Sequence, residues 1–432
     1  MVLFTRDLRT HDHPALWEGT RVADDVVPVF FVDPGVIGRS ANRDRFLSEC
    51  LVDLDRSLAH RGGRLIVREG PAAPAAVELA TDAGCDEIFL TADVSEYAGR
   101  RAEQLTSLAA VRAIGVRAFP GHAVVEPGIV APEGREAYRV FGPYLRAWDS
   151  AHPRQVLGSP HRVRVPRDLD AGRLPVPERS TPTALELPPG GESTGRKRMQ
   201  RFLSVGAAAY THARDDLAAD ETSRLSPYLR FGCISAAELA SRAQGIRGAE
   251  GFVRQLAWRD FFRQLLAWCP SMTWDDLRPG AGEQVEFDGA IVEAWVAGRT
   301  GLPLVDAGMR QLSREGWMHN RARLVTASFL TRQAGVPWQV GARHFFEQLV
   351  DGDPANNAGN WQWVAGTGAS PRRSRPLNPV RQAERFDPDG AYVRRYVPEL
   401  LHADGQAILR PWSHPELLRA SGYPVPILDT AA

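Results

Sequence analysis

The sequence predicts a doubly wound parallel α/β N-terminal domain followed by an all-α domain, and three observations carry that prediction. Over the first ~130 residues, short β-rich runs alternate with helical patterns, as in a parallel sheet with crossover helices. Between Ser150 and Arg196 the composition shifts to Pro, Arg, Ser and Gly. Beyond that stretch, strand-like runs almost vanish and helical periodicity takes over. The expected boundaries are 1–130 for the α/β domain, 131–198 for a connection running over the surface, and 199–432 for the helical domain.

Within the first domain, Val2 to Thr5, Val26 to Val32, Leu65 to Val67, Glu87 to Thr91 and Val116 to Phe119 read as strands. Phe46, Cys50, Leu51, Leu54 and Leu58 mark one face of an amphipathic helix between them. No Gly-x-Gly-x-x-Gly follows any strand, so nicotinamide-dinucleotide binding is not expected. Leu187-Pro188-Pro189-Gly190-Gly191 belongs to the connection. In the second domain, Phe252 to Trp268 and Val305 to Leu330 carry helical periodicity.

Bulk properties exclude several classes. Hydrophobic residues at 44% and charged residues at 24% suit a folded globular chain of 432 residues. Apolar runs stay far short of the ~18 residues of a membrane span, and the first residues enter a charged segment, so no membrane association and a cytoplasmic location are expected. Four scattered cysteines, none in a Cys-x-x-Cys pair, point away from disulfides and zinc. A formal net charge of zero leaves any nucleic-acid contact to local clustering. Such a cluster follows Pro371: Arg372, Arg373, Arg375, Arg381, Arg385, Arg394 and Arg395, against Glu384, Asp387 and Asp389.

Four segments concentrate polar and aromatic residues. Thr222-Ser223-Arg224-Leu225-Ser226-Pro227 looks like the start of a helix, whose free N–H groups and hydroxyls can hold phosphate oxygens. Gln255-Leu256-Ala257-Trp258-Arg259-Asp260 reads on its own as an amphipathic helix with buried aromatics. Gly316 to Arg323 places Asn320 and Arg323 at i,i+3 on one helix face. Asp351 to Trp363 mixes acids, small residues and amides, as in a metal loop or a polar cofactor cradle. It lacks the ligand spacing of an EF-hand, and no metal is expected.

The order and wording of these segments, with Leu3-Phe4-Thr5-Arg6-Asp7-Leu8-Arg9 before them and Phe386-Asp387-Pro388 and Tyr396-Val397-Pro398-Glu399-Leu400 after, resemble the cryptochrome/photolyase family. The likeness is greatest to its bacterial class I enzymes that repair cyclobutane pyrimidine dimers, and it covers nearly the whole chain. It implies an antenna-binding α/β domain, a helical domain that binds FAD and DNA, and light-driven repair by a carbon–carbon lyase. In that family reduced, anionic FADH⁻ passes an electron to a dimer flipped out of ultraviolet-damaged DNA, and the cofactor carries the hard chemistry.

By the same resemblance, Tyr210, Thr222, Ser223, Arg224, Leu225 and Ser226 hold the phosphates and ribityl chain, and Phe252 walls the site. Arg323, Asp351 and Asp353 border the flavin, and Asn357 faces its N5, a residue that favours repair over signalling. Trp258 and Trp363 stack the lesion. Gln255, Asn320 and Arg321 contact lesion and strand, while Arg214, Arg259 and Gln382 lie along the phosphates; Arg259 and Asn320 also count among the cofactor contacts. Trp361 and Trp338 match the inner and middle tryptophans of an electron wire, whose outer member has no tryptophan near Val285 to Phe287. Gln255 stands where many relatives have Glu, and Leu324 where they have Met, which leaves six-four photoproducts as an alternative substrate; cryptochrome signalling is an alternative role, against which Asn357, Trp258 and Trp363 argue. Ala92 to Arg100 resembles deazaflavin-binding relatives, favouring an 8-hydroxy-deazaflavin antenna over methenyltetrahydrofolate. A monomer is expected.

Overall fold

A parallel strand covered on both faces reads as a near-continuous apolar run, as Pro28 to Val32 does, and each of the five β-rich runs in the first 119 residues becomes a strand. In the computed structural model, which describes residues 1–176, 183–278, 286–370 and 375–428, these are β1 (Val2–Phe4), β2 (Pro28–Val32), β3 (Ile66–Glu69), β4 (Glu87–Thr91) and β5 (Gly115–Phe119). They form one all-parallel sheet in the order β3-β2-β1-β4-β5. The crossovers are α1 (Pro14–Val22), α2 (Ala41–Ala59), α3 (Ala72–Asp82) and α4 (Glu96–Val111), so the doubly wound fold expected from the alternation is the one observed. On α2 the anticipated face of Phe46, Cys50, Leu51, Leu54 and Leu58 is buried, and Ser40 caps the helix by accepting from the Arg43 N–H. Ala76, Val77 and Ala80 of α3, with Leu105 and Ala109 of α4, share a core with Leu3, Val29, Ile66, Ile88 and Leu90 of the strands.

The chain divides into two compact units. The first comprises Met1–Thr183, Pro188–Ala208 and Ser223–Pro270. Besides the sheet it contains α5 (Phe141–Ser150), α6 (Glu192–Val205) and the helices Ser226–Arg230, Ala236–Gln244 and Glu250–Trp268. The second comprises Ala184–Leu187, Ala209–Thr222 and Ser271–Ala432. Its helices include Pro303–Glu315, Asn320–Ser328, Trp338–Gln348, Pro354–Ala365 and Pro379–Phe386, and among the described residues it has no strand. No helix among the described residues is long and apolar enough to cross a membrane.

Two expectations change in detail. The Pro-rich connection does not simply run over the surface. The Val163 N–H donates to the Arg61 carbonyl, the Val26 N–H to Arg164 and the Val67 N–H to Ala171, so the connection satisfies backbone groups of the sheet domain, including edge strand β3. The periodic run Val305 to Leu330 is two helices, because Gly316 adopts φ 60° and closes the first with a left-handed cap.

Buried charges fasten the sheet to the helices of the same unit. Asp7 accepts from His13 at 2.9 Å and from the Thr91 hydroxyl. Burial opposes its ionisation, yet attraction to His13 and these hydrogen bonds win and hold the carboxyl well below the usual range. Arg9 donates to the carbonyls of Asp12, Gly121 and Gly232. Asp93 bridges Arg6 at 3.3 Å and Arg263 of helix Glu250–Trp268 at 3.1 Å. The Leu3 to Arg9 motif is therefore a structural joint.

His122 lies beside this cluster, and burial pushes its imidazole well below its ordinary value of 6.5, against the pull of Asp93. Above 6.5 neither the folded nor the unfolded chain is charged there. Below it the unfolded chain takes a proton that the fold refuses, so stability falls by about 1.4 kcal/mol per pH unit down to the folded pKa. Thermal melts between pH 7 and 5 should therefore show a falling midpoint, and His122→Gln should flatten part of that slope. An equally steep slope in the variant would assign the acid sensitivity to other groups.

Candidate functional site

In the second unit, helix Pro354–Ala365 starts where the sequence marks it. The Asp353 carboxylate accepts from the Asn356 backbone N–H at 3.0 Å and from its side-chain amide at 2.8 Å, and Pro354 fills the first turn. This helix and Asn320–Ser328 line an open cleft that brings together Asn320, Arg323, Asp351, Asp353, Asn357 and Trp361. The guanidinium of Arg323 donates to Asp351 Oδ2 and to the Met318 carbonyl, each at 2.8 Å. Asp351 is buried, and its Oδ1 has no hydrogen-bond partner in the protein. The amide Nδ2 of Asn357 donates to the Ala342 carbonyl at 2.9 Å, which fixes the amide plane.

Trp361 is buried against Phe345, edge to face at 5.0 Å, and lies 6.2 Å from the ring of Trp295. It approaches helix Trp338–Gln348 at Gly341, where any Cβ would fall within the indole's van der Waals envelope and 2.7 Å from Leu330. Trp338, one turn earlier on that helix, donates its indole N–H to Asp276 at 2.7 Å. Next to Trp361, the fully buried Gln362 donates to the carbonyls of Met272 and Asp275 and accepts from the Leu277 N–H. The motif made Gln362 visible in the sequence but gave it no role. Nothing in the sequence pointed to Asp276 or Gly341.

Other expected contacts cluster in the same unit. Arg321 pairs with Asp215 at 2.8 Å, reaches Gln382 at 3.5 Å and covers the ring of Phe386 at 4.2 Å. Arg214 lies 4.0 Å from the same Asp215, a carboxylate that sequence reasoning missed and that offsets part of the positive charge. The Tyr210 phenol is pushed up to about 12 by burial against the pull of Arg214, so it stays a neutral donor. Thr222 donates to Asp220, which has φ 49°. Of the arginine cluster, Arg394 is turned to the carbonyls of Asp389 and Ala403, while Arg381 is exposed. Arg372 and Arg373 lie outside the described residues, as does Val285.

The first unit carries the rest. Ser226 opens its short helix with Pro227 next, and the Ser223 hydroxyl accepts from the Leu225 N–H at 3.3 Å. Leu225 is buried, and Arg224 has φ 48°, a left-handed backbone rare outside glycine. Phe252 is buried against Phe202 at 4.7 Å. Gln255 makes a 3.5 Å bond to the Gly251 carbonyl. Arg259 spends its guanidinium on the carbonyls of His122 and Leu229 and on Asp260. Trp258 is half-buried and lies parallel to Phe141 at 3.6 Å, a partner that no local pattern marks. Neighbouring Asp260 is a buried anchor that accepts from the Val124 and Val125 N–H groups and the Trp148 indole.

Trp361 is hemmed in by Phe345 and Trp295, so it cannot swing away from a methyl at position 341. Gly341→Ala should lower stability by about 1–3 kcal/mol, the usual range for an overpacked core, with a changed near-ultraviolet circular dichroism of the indoles. An unchanged denaturation midpoint would mean that the helix and ring part freely.

An open cleft with a buried, half-satisfied carboxylate, an adjacent guanidinium and a fixed amide suits a polar, hydrogen-bonding ring system, and a flavin fits that donor set. Comparison with known proteins agrees. A family model described as DNA photolyase matches residues 1–165, and one described as the FAD binding domain of DNA photolyase matches residues 252–432. The chain is 48% identical to a deoxyribodipyrimidine photo-lyase of Streptomyces griseus, with 100% of this chain and 96% of the relative covered. A bacterial class III photolyase from Agrobacterium tumefaciens superposes with a TM-score of 0.92 at 31% identity, covering 99% of this chain and 94% of that one. An archaeal photolyase from Sulfolobus tokodaii, whose crystal structure is described as containing two FAD molecules, gives 0.85 at 28% identity, covering 99% and 96%. Full-length similarity at this level, on the same fold, places the chain in the photolyase/cryptochrome family.

Proposed function

We propose that this protein is a light-driven DNA repair lyase that binds FAD and splits cyclobutane pyrimidine dimers to monomers. The observation that carries the reading is the cleft in the FAD-binding domain, where Asn357 and the Arg323–Asp351 pair converge. Bound there in its reduced form, FAD supplies the photoexcited electron that opens the cyclobutane ring. Arg323 and Asp351 orient the ring system, Asp351 through the oxygen that no protein group uses. Asn357 presents a neutral amide whose plane Ala342 fixes. Tyr210, Thr222, and Ser223 to Ser226 hold the phosphates and ribityl chain, with Phe252 as an apolar wall. Trp361 and Trp338 form the inner part of an electron path that restores the reduced cofactor.

Substrate recognition needs an extruded dimer, because the lesion is out of reach inside a duplex. The half-buried Trp258 and the exposed Trp363 each offer a ring to a flipped pyrimidine. Gln255 and Asn320 offer amides to base edges, and Arg214, Arg321 and Gln382, with exposed arginines such as Arg381, supply a sequence-independent phosphate term. An antenna domain (1–130), a connection (131–198) and a catalytic domain (199–432) divide the work in a cytoplasmic monomer. The second chromophore is assigned as 8-hydroxy-deazaflavin, on the sequence Ala92 to Arg100 at the carboxyl end of β4. Recovery of a folate from native-source protein would overturn that assignment.

Two measurements test the reading. Asp351→Ala leaves Arg323 without its carboxylate and should weaken FAD retention by on the order of 2–3 kcal/mol, the low side of the buried-pair range because Arg323 keeps some solvent. Wild-type flavin content in that variant would remove Asp351 from the site. Illuminated, reduced protein should restore absorbance at the pyrimidine band from dimer-containing DNA and not in the dark. Trp258→Ala should lose about 1–3 kcal/mol of lesion affinity. Recovery only on six-four products would change the substrate, and recovery on neither lesion would remove the repair function.

A further inference from the structure

The reading of Trp361 and Trp338 as electron donors leaves open where the positive charge reaches solvent, and the second unit answers this with one constellation. Gln362, next to Trp361, holds the backbone of the segment 272–277 at three points, through Met272, Asp275 and Leu277. The first turn of helix Trp338–Gln348 holds the same segment at two more. Trp338 donates its indole N–H to Asp276 at 2.7 Å, and Gln339 donates its amide to the Trp274 carbonyl at 3.0 Å. Both buried tryptophans are thus tied to one short stretch of chain. That stretch carries Trp274, which at 55% is the most exposed tryptophan of the protein.

We infer that Trp274 is the solvent-side terminus of the electron path that begins at Trp361 and Trp338. Indole is among the most easily oxidised side chains, and a terminus must be exposed to exchange protons with water and meet a reductant. Trp274 meets both conditions. Trp295 lies 6.2 Å from Trp361 but is wholly buried and donates its N–H to the Thr326 carbonyl, so a charge that moves there has no exit. The carboxylate of Asp276 favours positive charge on the Trp338 indole, the intermediate station. Five hydrogen bonds fix the segment in advance, so little reorganisation accompanies each hop.

The step balances. Trp274 gives one electron to the Trp338 cation radical, which returns to neutral indole with its N–H still on Asp276. The Trp274 cation releases its indole proton to water. The resulting neutral radical regains one electron and one proton from an external thiol, and two such thiols combine as one disulfide for every two electrons delivered.

The test compares Trp274→Phe, Trp338→Phe, Trp295→Phe and the parent, as full-length chains loaded with FAD and illuminated with blue light in the presence of a small thiol. Trp274→Phe should slow flavin photoreduction several-fold, and in flash spectroscopy the lifetime of the tryptophan radical should lose its dependence on thiol concentration. In the flavin-free chain, acrylamide should quench indole fluorescence less in Trp274→Phe than in the parent, while Trp338→Phe keeps the quenchable component. The double variant of Trp274 and Trp338 should be no slower than Trp338→Phe alone. Normal photoreduction in Trp274→Phe, with a block in Trp338→Phe, would overturn the inference while leaving the inner path intact. A loss in Trp295→Phe with none in Trp274→Phe would assign the exit to the buried branch. Normal photoreduction in both Trp338→Phe and Trp274→Phe would instead overturn the underlying assignment of the path.

Discussion

A carboxylate removed from water costs several kcal/mol unless both oxygens are matched, and the cleft of the second unit is organised around one that is only half matched. Asp351 gives Oδ2 to Arg323 and keeps Oδ1 for something the protein does not provide. That asymmetry dictates much of what surrounds it. Arg323 must be aimed, so its Nε bonds the Met318 carbonyl and its guanidinium lies 5.8 Å from the Trp317 ring. Those two contacts fix the turn between helices, which can form only because Gly316 takes a left-handed conformation. The Val350 N–H in turn bonds the Gly316 carbonyl and holds the acidic segment against that turn. A polar ligand that supplies a donor to Oδ1 completes this network, which makes ligand retention and local order two aspects of one interaction.

The positioning work elsewhere falls to buried glutamines. An amide can donate and accept at once while adding no net charge. Gln311 accepts from the His319 N–H and the Tyr392 hydroxyl and donates to Tyr396 and to the buried Glu315 carboxylate, so an uncharged amide sets the start of helix Asn320–Ser328. Gln362 does the same for the segment below the cleft, and Gln264 bridges the N–H and carbonyl of Tyr138 in the first unit. Buried charges do the corresponding work at the sheet of the first unit, with Asp7, Asp93, Arg9 and Arg263.

Much of this was legible in the sequence where one residue type answers to one local need. The five strands followed from apolar runs, α2 from its periodic face, and the helix after Asp353 from an Asp-Pro start. Asn320 and Arg323 share the cleft because they are three residues apart on one helix, as their spacing required. What stayed hidden depends on distant partners. Asp215, Asp276 and Phe141 act on residues 106, 62 and 117 positions away (Arg321, Trp338 and Trp258), and no local pattern marks them. Gly316 was visible as a residue, but the periodic run on either side concealed the break it makes. Arg259 likewise meets distant partners that its motif did not mark, the carbonyls of His122 and Leu229.

Phe141 bears on how Trp258 can receive a base. Two aromatic rings face to face repel through their quadrupoles unless the stack is offset or polarised, and these lie within 7° of parallel at 3.6 Å. The Arg254 guanidinium sits 5.1 Å from the Phe141 ring centroid, and a cation there draws electron density outward and relieves the repulsion. The indole plane is therefore set by Phe141, itself beside Arg254, together with the rings of Phe261 and Phe262, within one unit and without any ligand. Under the proposed function, a base that stacked on Trp258 would meet a ring already fixed in orientation and would lose less rotational freedom on contact. It would also meet a half-buried apolar surface, which suits a flipped lesion better than a hydrated base still paired in its duplex.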